Sequence, residues 1–567
     1  MKKILILIGI LIFGCRSSPE VSFENLNTAF INWYFKYHPV ESTRYDIKGN
    51  HGKYRLKGTS ERDEYYADIS RFLIELSQID ATKISPDAQI DYNILYSRLE
   101  KMKYIMDDIR PWEWSTLWTI DEIYEGIYIL SERVHLEMDN RVNALQSRLE
   151  KIPMVLDNSK NNMIARSGLH ISYSNNRIDK LIMLLQQLPL KLNSDNITLD
   201  NIDRLIEKCV NALDEYKEWM NIYAELDNMN FPEDLHLIEG GFMHYTGGKY
   251  QAAPVYKLAE KKLNSTQDRL FNLTLPIYLM ENDEPVWLDR ADTLEVIQWT
   301  IESIRKKPKN KIKNEEILSQ FYESISKIEQ FNYDQSLIPR KINKTIQLDF
   351  APQYSFSNSH VFLFDYHPKE FSREVIYNIY YPSEDNIQYE LTRQEIDIIN
   401  AELILPGFGV QLAHAQRFPS MIRYLFPDPV TVAGWKAYAV TMLIEQGFGD
   451  WGNEFQIFKL KTEISIIVRA IVEAQYYVGE MSREGAVAFL QKMAFMKKDE
   501  ADMIQLESDL HFFSGTQSFI GMMEMNSLYN EYKRNQGDEF NILEFHRIVL
   551  SNGIIPLYEL KKQILLP

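Results

Sequence analysis

Apolar residues recur at three- and four-residue steps along most of the chain. Phe23, Leu26, Phe30, Trp33 or Tyr34, and Tyr37 lie on one stripe, the pattern of an amphipathic helix. His38-Pro39 ends that helix. Ser60 with Asp63 opens the next, which carries Tyr65, Ile69, Phe72 and Leu76, and Ser85-Pro86 opens a third, with Ser as N-cap and Pro at the first helical position. The same period continues to about Asp334. Between Thr345 and Tyr389 it changes: Ile346, Leu348 and Phe350 alternate with polar residues, and Val361–Phe364 and Val375–Tyr381 are short aromatic or β-branched runs. These predict a small sheet. Beyond Leu391 the pattern is helical again, and a helix over Glu402–Gln416 tolerates Pro406 only if kinked or broken there. The expected fold is mainly α and multi-helical with a small β-sheet, one continuous domain over 23–567, divided into a helical lobe at 23–335 and a lobe at 336–567.

The N-terminus adds an address. Residues 1–14 hold two lysines and an apolar run of about a dozen residues, too short for a comfortable membrane span and suited to a signal peptide. Cys15, just behind Gly14, resembles the lipidated Cys of bacterial lipoproteins, with 15–22 as lipidated Cys and tether. That predicts a cell-envelope protein anchored to a bacterial membrane, the outer membrane by preference. With Cys15 lipidated, Cys209 has no disulfide partner and reads as a small buried hydrophobe.

A formal charge of −18 argues against nucleic acid as a partner, because phosphate binding draws its affinity from Lys and Arg. The one basic run, Arg305–Lys313, reads as a solvated loop, with partner docking as the lesser alternative. There is no His-Glu-x-x-His, no Gly-x-Ser-x-Gly and no phosphate-binding Gly-rich loop. His244, His360 and His367 are scattered imidazoles that a relocated metal site could use. His414 reads as a hydrogen-bonded structural residue, twelve positions and about 18 Å from Glu402 along a regular helix.

Two stretches carry a resemblance: Ala401-Glu-Leu-Ile-Leu-Pro-Gly-Phe-Gly-Val-Gln411 and Ala433-Gly-Trp-Lys-Ala-Tyr-Ala-Val440. They resemble the paired motifs of a bacterial zincin-like family of inferred metallopeptidases, the domain-of-unknown-function 885 (DUF885) family. There the first motif reads His-Glu-x-x-Pro-Gly-His-His-x-Gln and the second Glu-Gly-Trp-Ala-x-Tyr-Ala-Glu. Further likeness lies in Pro39–Asp46, a Pro-led stretch that in the family enters a loop, in Tyr380–Asp385, and in Arg469–Tyr477, where Glu473 stands for an acid and Tyr477 for a His. It continues in Glu507–Gly521, where Leu510 and His511 replace an Arg-Tyr pair, and in the tail Glu544–Leu557, whose His546 reads as structural.

The frame is present and the ligands are not. Pro406, Gly407, Gln411, Gly434, Trp435 and Tyr438 survive as cleft-shaping residues, while Glu402, Leu403, Phe408, Gly409, Ala433 and Val440 occupy the former ligand and base positions. A catalytic zinc needs about three His or carboxylate donors and an open position for water. The resemblance therefore implies a metallopeptidase fold without catalytic residues, cofactor or metal, whose former substrate cleft, between the two lobes, takes a peptide or protein partner. The alternative is an active periplasmic zinc peptidase with relocated ligands, in which Glu402 is the one surviving site acid.

Overall fold

The computed structural model describes residues 18–565 apart from 56–57, 133–137, 195–198, 200, 225–228, 283–289, 340–342, 351, 356–373, 382–390 and 416–419. Cys15, His360, His367, the 361–364 run and most of Tyr380–Asp385 lie outside the described residues.

Helix α1 (Pro19–Tyr37) starts inside the stretch 15–22, because the Ser18 side chain accepts the Val21 amide and Pro19 fits the first turn. The stripe Phe23, Leu26, Phe30, Trp33 and Tyr34 is buried. The segment expected to enter a loop is instead the short helix α2 (Pro39–Arg44). Arg148 accounts for this. Its buried guanidinium donates to the carbonyls of Pro39, Lys53 and Gly126 and to Thr43 Oγ1, so residues 39–43 turn their acceptors inward. Burial pulls the Arg148 pKa down to about 10. Helix α3 (Thr59–Ser77) follows an extended Gly58 instead of starting at Ser60, and α4 (Pro86–Tyr104) is capped by Ser85 as its sequence predicts.

Four helices then enclose a core of their own: α5 (Leu117–Glu132), α6 (Met138–Asn162), α7 (Gly168–Ser194) and α8 (Ile202–Ala224). Cys209 lies in it as a small apolar residue, its thiol pushed up to about 12 by burial. The chain returns to a larger core through α9 (Phe242–Thr246), α10 (Ala252–Glu281), α11 (Arg290–Lys306) and α12 (Ile317–Asp334). Strands β1 (Asn343–Phe350) and β2 (Glu374–Tyr381) pair in parallel, from Asn343 opposite Glu374 to Phe350 opposite Tyr381.

Among the described residues the fold continues with the α-helices α13 (Arg393–Leu403), α14 (Phe408–Ala415), α15 (Met421–Leu425), α16 (Pro429–Glu445), α17 (Asn453–Tyr476), α18 (Arg483–Ala494), α19 (Lys498–Leu510), α20 (Ser514–Gln536), α21 (Ile542–Ser551) and α22 (Leu557–Leu565). Their apolar faces join those of α1, α3 and α4, so residues on both sides of position 335 build the larger core. Arg423 ties the chain ends together. Fully buried, it lies 2.6 Å from Asp91 and 2.7 Å from Asp87 on α4 and donates to the Asn552 carbonyl beyond α21 at 3.0 Å. The basic run 305–313 is not freely solvated. Arg305 is buried against Glu395, and Lys307 and Lys309 reach Glu454 at 3.3 and 3.2 Å.

Helices α16 and α20 meet backbone to backbone. A Cβ on Gly434 would lie 2.6 Å from the Gly521 carbonyl, and one on Gly521 2.3 Å from the Val430 carbonyl. One turn on, the Tyr438 hydroxyl donates to His546 Nε2 at 2.7 Å, while His546 Nδ1 donates to the Leu337 carbonyl. With both nitrogens engaged in this way the imidazole is neutral, and burial lowers its pKa to about 4.

Gly434→Ala should cost roughly 1–3 kcal/mol, since neither backbone can yield without moving a helix, and a denaturant midpoint equal to wild type would contradict the contact. A second expectation concerns pH. His546 titrates near 6.5 when unfolded and near 4 when folded, so between these values the unfolded chain binds the extra proton and stability falls as pH falls. His546→Gln should flatten that dependence by about 1.4 kcal/mol per pH unit in chemical denaturation.

Candidate functional site

The first motif is built on a helix break. α13 ends at Leu403, the Leu405–Pro406 peptide is cis, and α14 restarts at Phe408. The continuous-helix ruler between Glu402 and His414 therefore does not apply. Gly407 passes so close to the end of α13 that a Cβ would lie 1.9 Å from the Glu402 carbonyl, so only glycine fits. The second motif fastens this turn: Trp435 Nε1, fully buried, donates to the carbonyls of Pro406 at 3.0 Å and Gly407 at 3.1 Å. Pro406, Gly407, Gly434, Trp435 and Tyr438 are thus one packing unit. Gln411 is buried beside it.

The two motifs meet between α13 and α16. Ala433, Lys436 and Val440 fall at i, i+3 and i+7 of α16, one stripe on one face. Where the resembled motif has Glu at the first and last of these positions, this chain has an ammonium between two apolar residues. Lys436 Nζ reaches across to Glu402 Oε1 at 2.9 Å. Leu403 and Phe408 are partly buried and Gly409 and Val440 are buried, and none of the four carries a side-chain atom that could bind a metal.

Around this pair the charges alternate over four helices. Arg469 on α17 lies 2.8 Å from Glu507 on α19 and 3.2 Å from Ser514 Oγ. Burial opposes the Arg469 charge, but Glu507, Glu473 and Glu402 outweigh it and hold the pKa above its usual value. Burial likewise opposes ionised Glu507, and Arg469, then Lys436 and His511, hold it low. Glu473 caps α20: its carboxylate accepts from the amides of Gly515 and Thr516 and the hydroxyl of Thr516, each at 2.8 Å, and from Ser508 Oγ at 3.2 Å. Burial pushes its pKa up against these donors. Tyr477, at the resembled His position, donates to the Ser508 carbonyl at 3.1 Å and accepts from the Phe513 amide at 3.2 Å. It ties the end of α19 to the residue before α20.

Helix α7, from the smaller core, faces this network. Its Tyr173 donates to the buried carboxylate of Asp509 at 2.8 Å, beside Arg483 at 3.1 Å. Arg177 lies within electrostatic reach of His511, whose crowded but solvent-reached imidazole has its pKa lowered by burial. Charged and hydrogen-bonding side chains of the two cores thus meet where α7 faces α18 and α19.

The described residues at the two motifs do not form a zinc ligand set. Among the described residues no three His, Cys, Asp or Glu side chains converge as a ligand set. Glu402 is engaged by an ammonium, which would repel a divalent cation beside it. His244 stacks on Tyr104 with ring centroids 4.6 Å apart. Lys436 escaped the reading of the motifs, although its place midway between the two lost acids was visible as a charge reversal on one helical stripe.

Comparison places the chain among known folds. A candidate lipoprotein of unknown function from Shewanella oneidensis superposes with a TM-score of 0.80 at 20% identity, over 96% of this chain and 99% of that one. A candidate lipoprotein from Colwellia psychrerythraea gives 0.77 at 13%, over 97% and 99%. No curated protein matches. Residues 39–564 match the family described as bacterial protein of unknown function, DUF885, and the chain belongs to that family.

Proposed function

We propose that this protein is a noncatalytic, lipid-anchored envelope member of its family, a zincin-like fold whose former substrate cleft binds a peptide or protein partner. The observation that carries the reading is the contact of Lys436 Nζ with Glu402 Oε1 at 2.9 Å. It joins the one acid of the first motif to a cation that stands between the two lost acids of the second.

A zinc peptidase needs a metal-bound water and a carboxylate free to take its proton. Here the carboxylate is paired, and the remaining site charges, Arg469, Glu507 and Glu473, satisfy one another and the start of α20. The cleft-shaping residues are kept in full, which suits binding without turnover. The tripartite N-terminal sequence supports anchoring through Cys15, for which we propose an outer membrane, and the lipoprotein names of the two superposed structures accord with an anchor.

The purified chain, incubated with added zinc and a mixture of short peptides, should release no new amines above the buffer control. Cleavage abolished by a chelator would overturn the reading. Lys436→Met should change stability by less than about 1 kcal/mol, because both partners of the ion pair are partly exposed, and should not create activity. A larger loss in thermal or chemical unfolding would show that the pair is structural.

A further inference from the structure

Several buried or half-buried cations among the described residues are satisfied. Arg305, Arg423, Arg469 and Arg483 have carboxylates, and Arg148 has four neutral acceptors. Arg98 and Lys101, neighbours at i and i+3 on one face of α4, do not follow this rule. Beyond the Tyr34 hydroxyl, Arg98 lies against the Phe426 ring at 4.8 Å, and its Nε is buried without an acceptor. Lys101 Nζ lies 3.8 Å from the centroid of Tyr245. Both residues are partly open to solvent.

The acids that face them are committed elsewhere. Asp428, the carboxylate within electrostatic reach of Lys101, accepts from the amide and the hydroxyl of Thr431, both at 2.8 Å. Glu41, near Tyr34, pairs with Arg44 at 3.3 Å. In a chain with 80 acidic residues, two adjacent cations backed by aromatic rings and without an ion pair among the described residues form a reserved positive site. Burial and the Arg98 charge bring the Lys101 pKa down to about 7, so an arriving anion would also secure its proton.

We propose that Arg98 and Lys101 form a subsite for the C-terminal carboxylate of an extended peptide. The proposal rests on the peptide-binding reading given above; Tyr245, which backs Lys101, packs on Phe512 and Phe513 at 5.9 and 5.5 Å, next to His511. A planar fork opposite a guanidinium favours a carboxylate. The formal charge of −18 disfavours a polyanion.

The test is calorimetric titration of the purified chain with tetra-alanine, with its C-terminal amide and with succinate, in wild type, Arg98→Met and Arg98→Lys. Arg98→Lys keeps a positive charge and serves as the folding control. The subsite predicts at least tenfold tighter binding of the free acid than of the amide, a preference lost in Arg98→Met and partly kept in Arg98→Lys. Equal binding of acid and amide in wild type overturns the subsite and leaves the cleft reading intact. Succinate binding that depends on Arg98, without binding of either peptide, upholds the anion site and overturns the peptide reading. Binding of none of the three, or binding indifferent to Arg98, overturns the subsite.

Discussion

The structure depends on the approach of α16 to α20 at Gly434 and Gly521, where no side chain separates the two backbones. That closeness fixes the rotation of α16. With α16 so turned, Trp435 points at the Pro406-Gly407 turn, Tyr438 at His546, and Lys436 at Glu402. One steric constraint thus sets both the packing of the second motif and the position of the charge that replaces its acids. Glu473 adds a second restraint by capping α20 from α17, so the helix that receives Gly434 is itself held at its start.

The division between kept and lost residues has a physical basis. Pro406, Gly407, Gly434 and Trp435 act through backbone geometry and buried volume, and changing any of them would disturb several helices. Of the positions at which the resembled motifs carry ligands, Glu402, Leu403, Phe408 and Ala433 are only partly buried. There an apolar side chain or an ion pair can stand where an acid stood with little effect on folding. The alternating charges of Glu402, Lys436, Glu507 and Arg469 neutralise one another in the place where the resembled family would carry a net negative ligand set.

Much of this was legible in the chain. The stripe of α1, the Ser85 cap of α4 and the break at Pro406 follow from local rules, because each depends on residues within a turn or two. The helical conformation of 39–44 was not legible, since Arg148 dictates it from over a hundred residues away. Nor was the fate of the basic run, whose partners Glu395 and Glu454 lie far along the sequence. At the site, the loss of ligands could be read residue by residue, but the gain of Lys436 needed the helical face to be drawn. The isolation of Arg98 and Lys101 is a property of three-dimensional surroundings alone.

The most direct test of the central claim, that a lysine–carboxylate pair has replaced a metal site, is the zinc content of the purified protein, measured by elemental analysis after dialysis against trace zinc. The account predicts zinc far below one ion per chain. Zinc near one per chain would contradict it and would locate a ligand set that Glu402 and Lys436 do not explain.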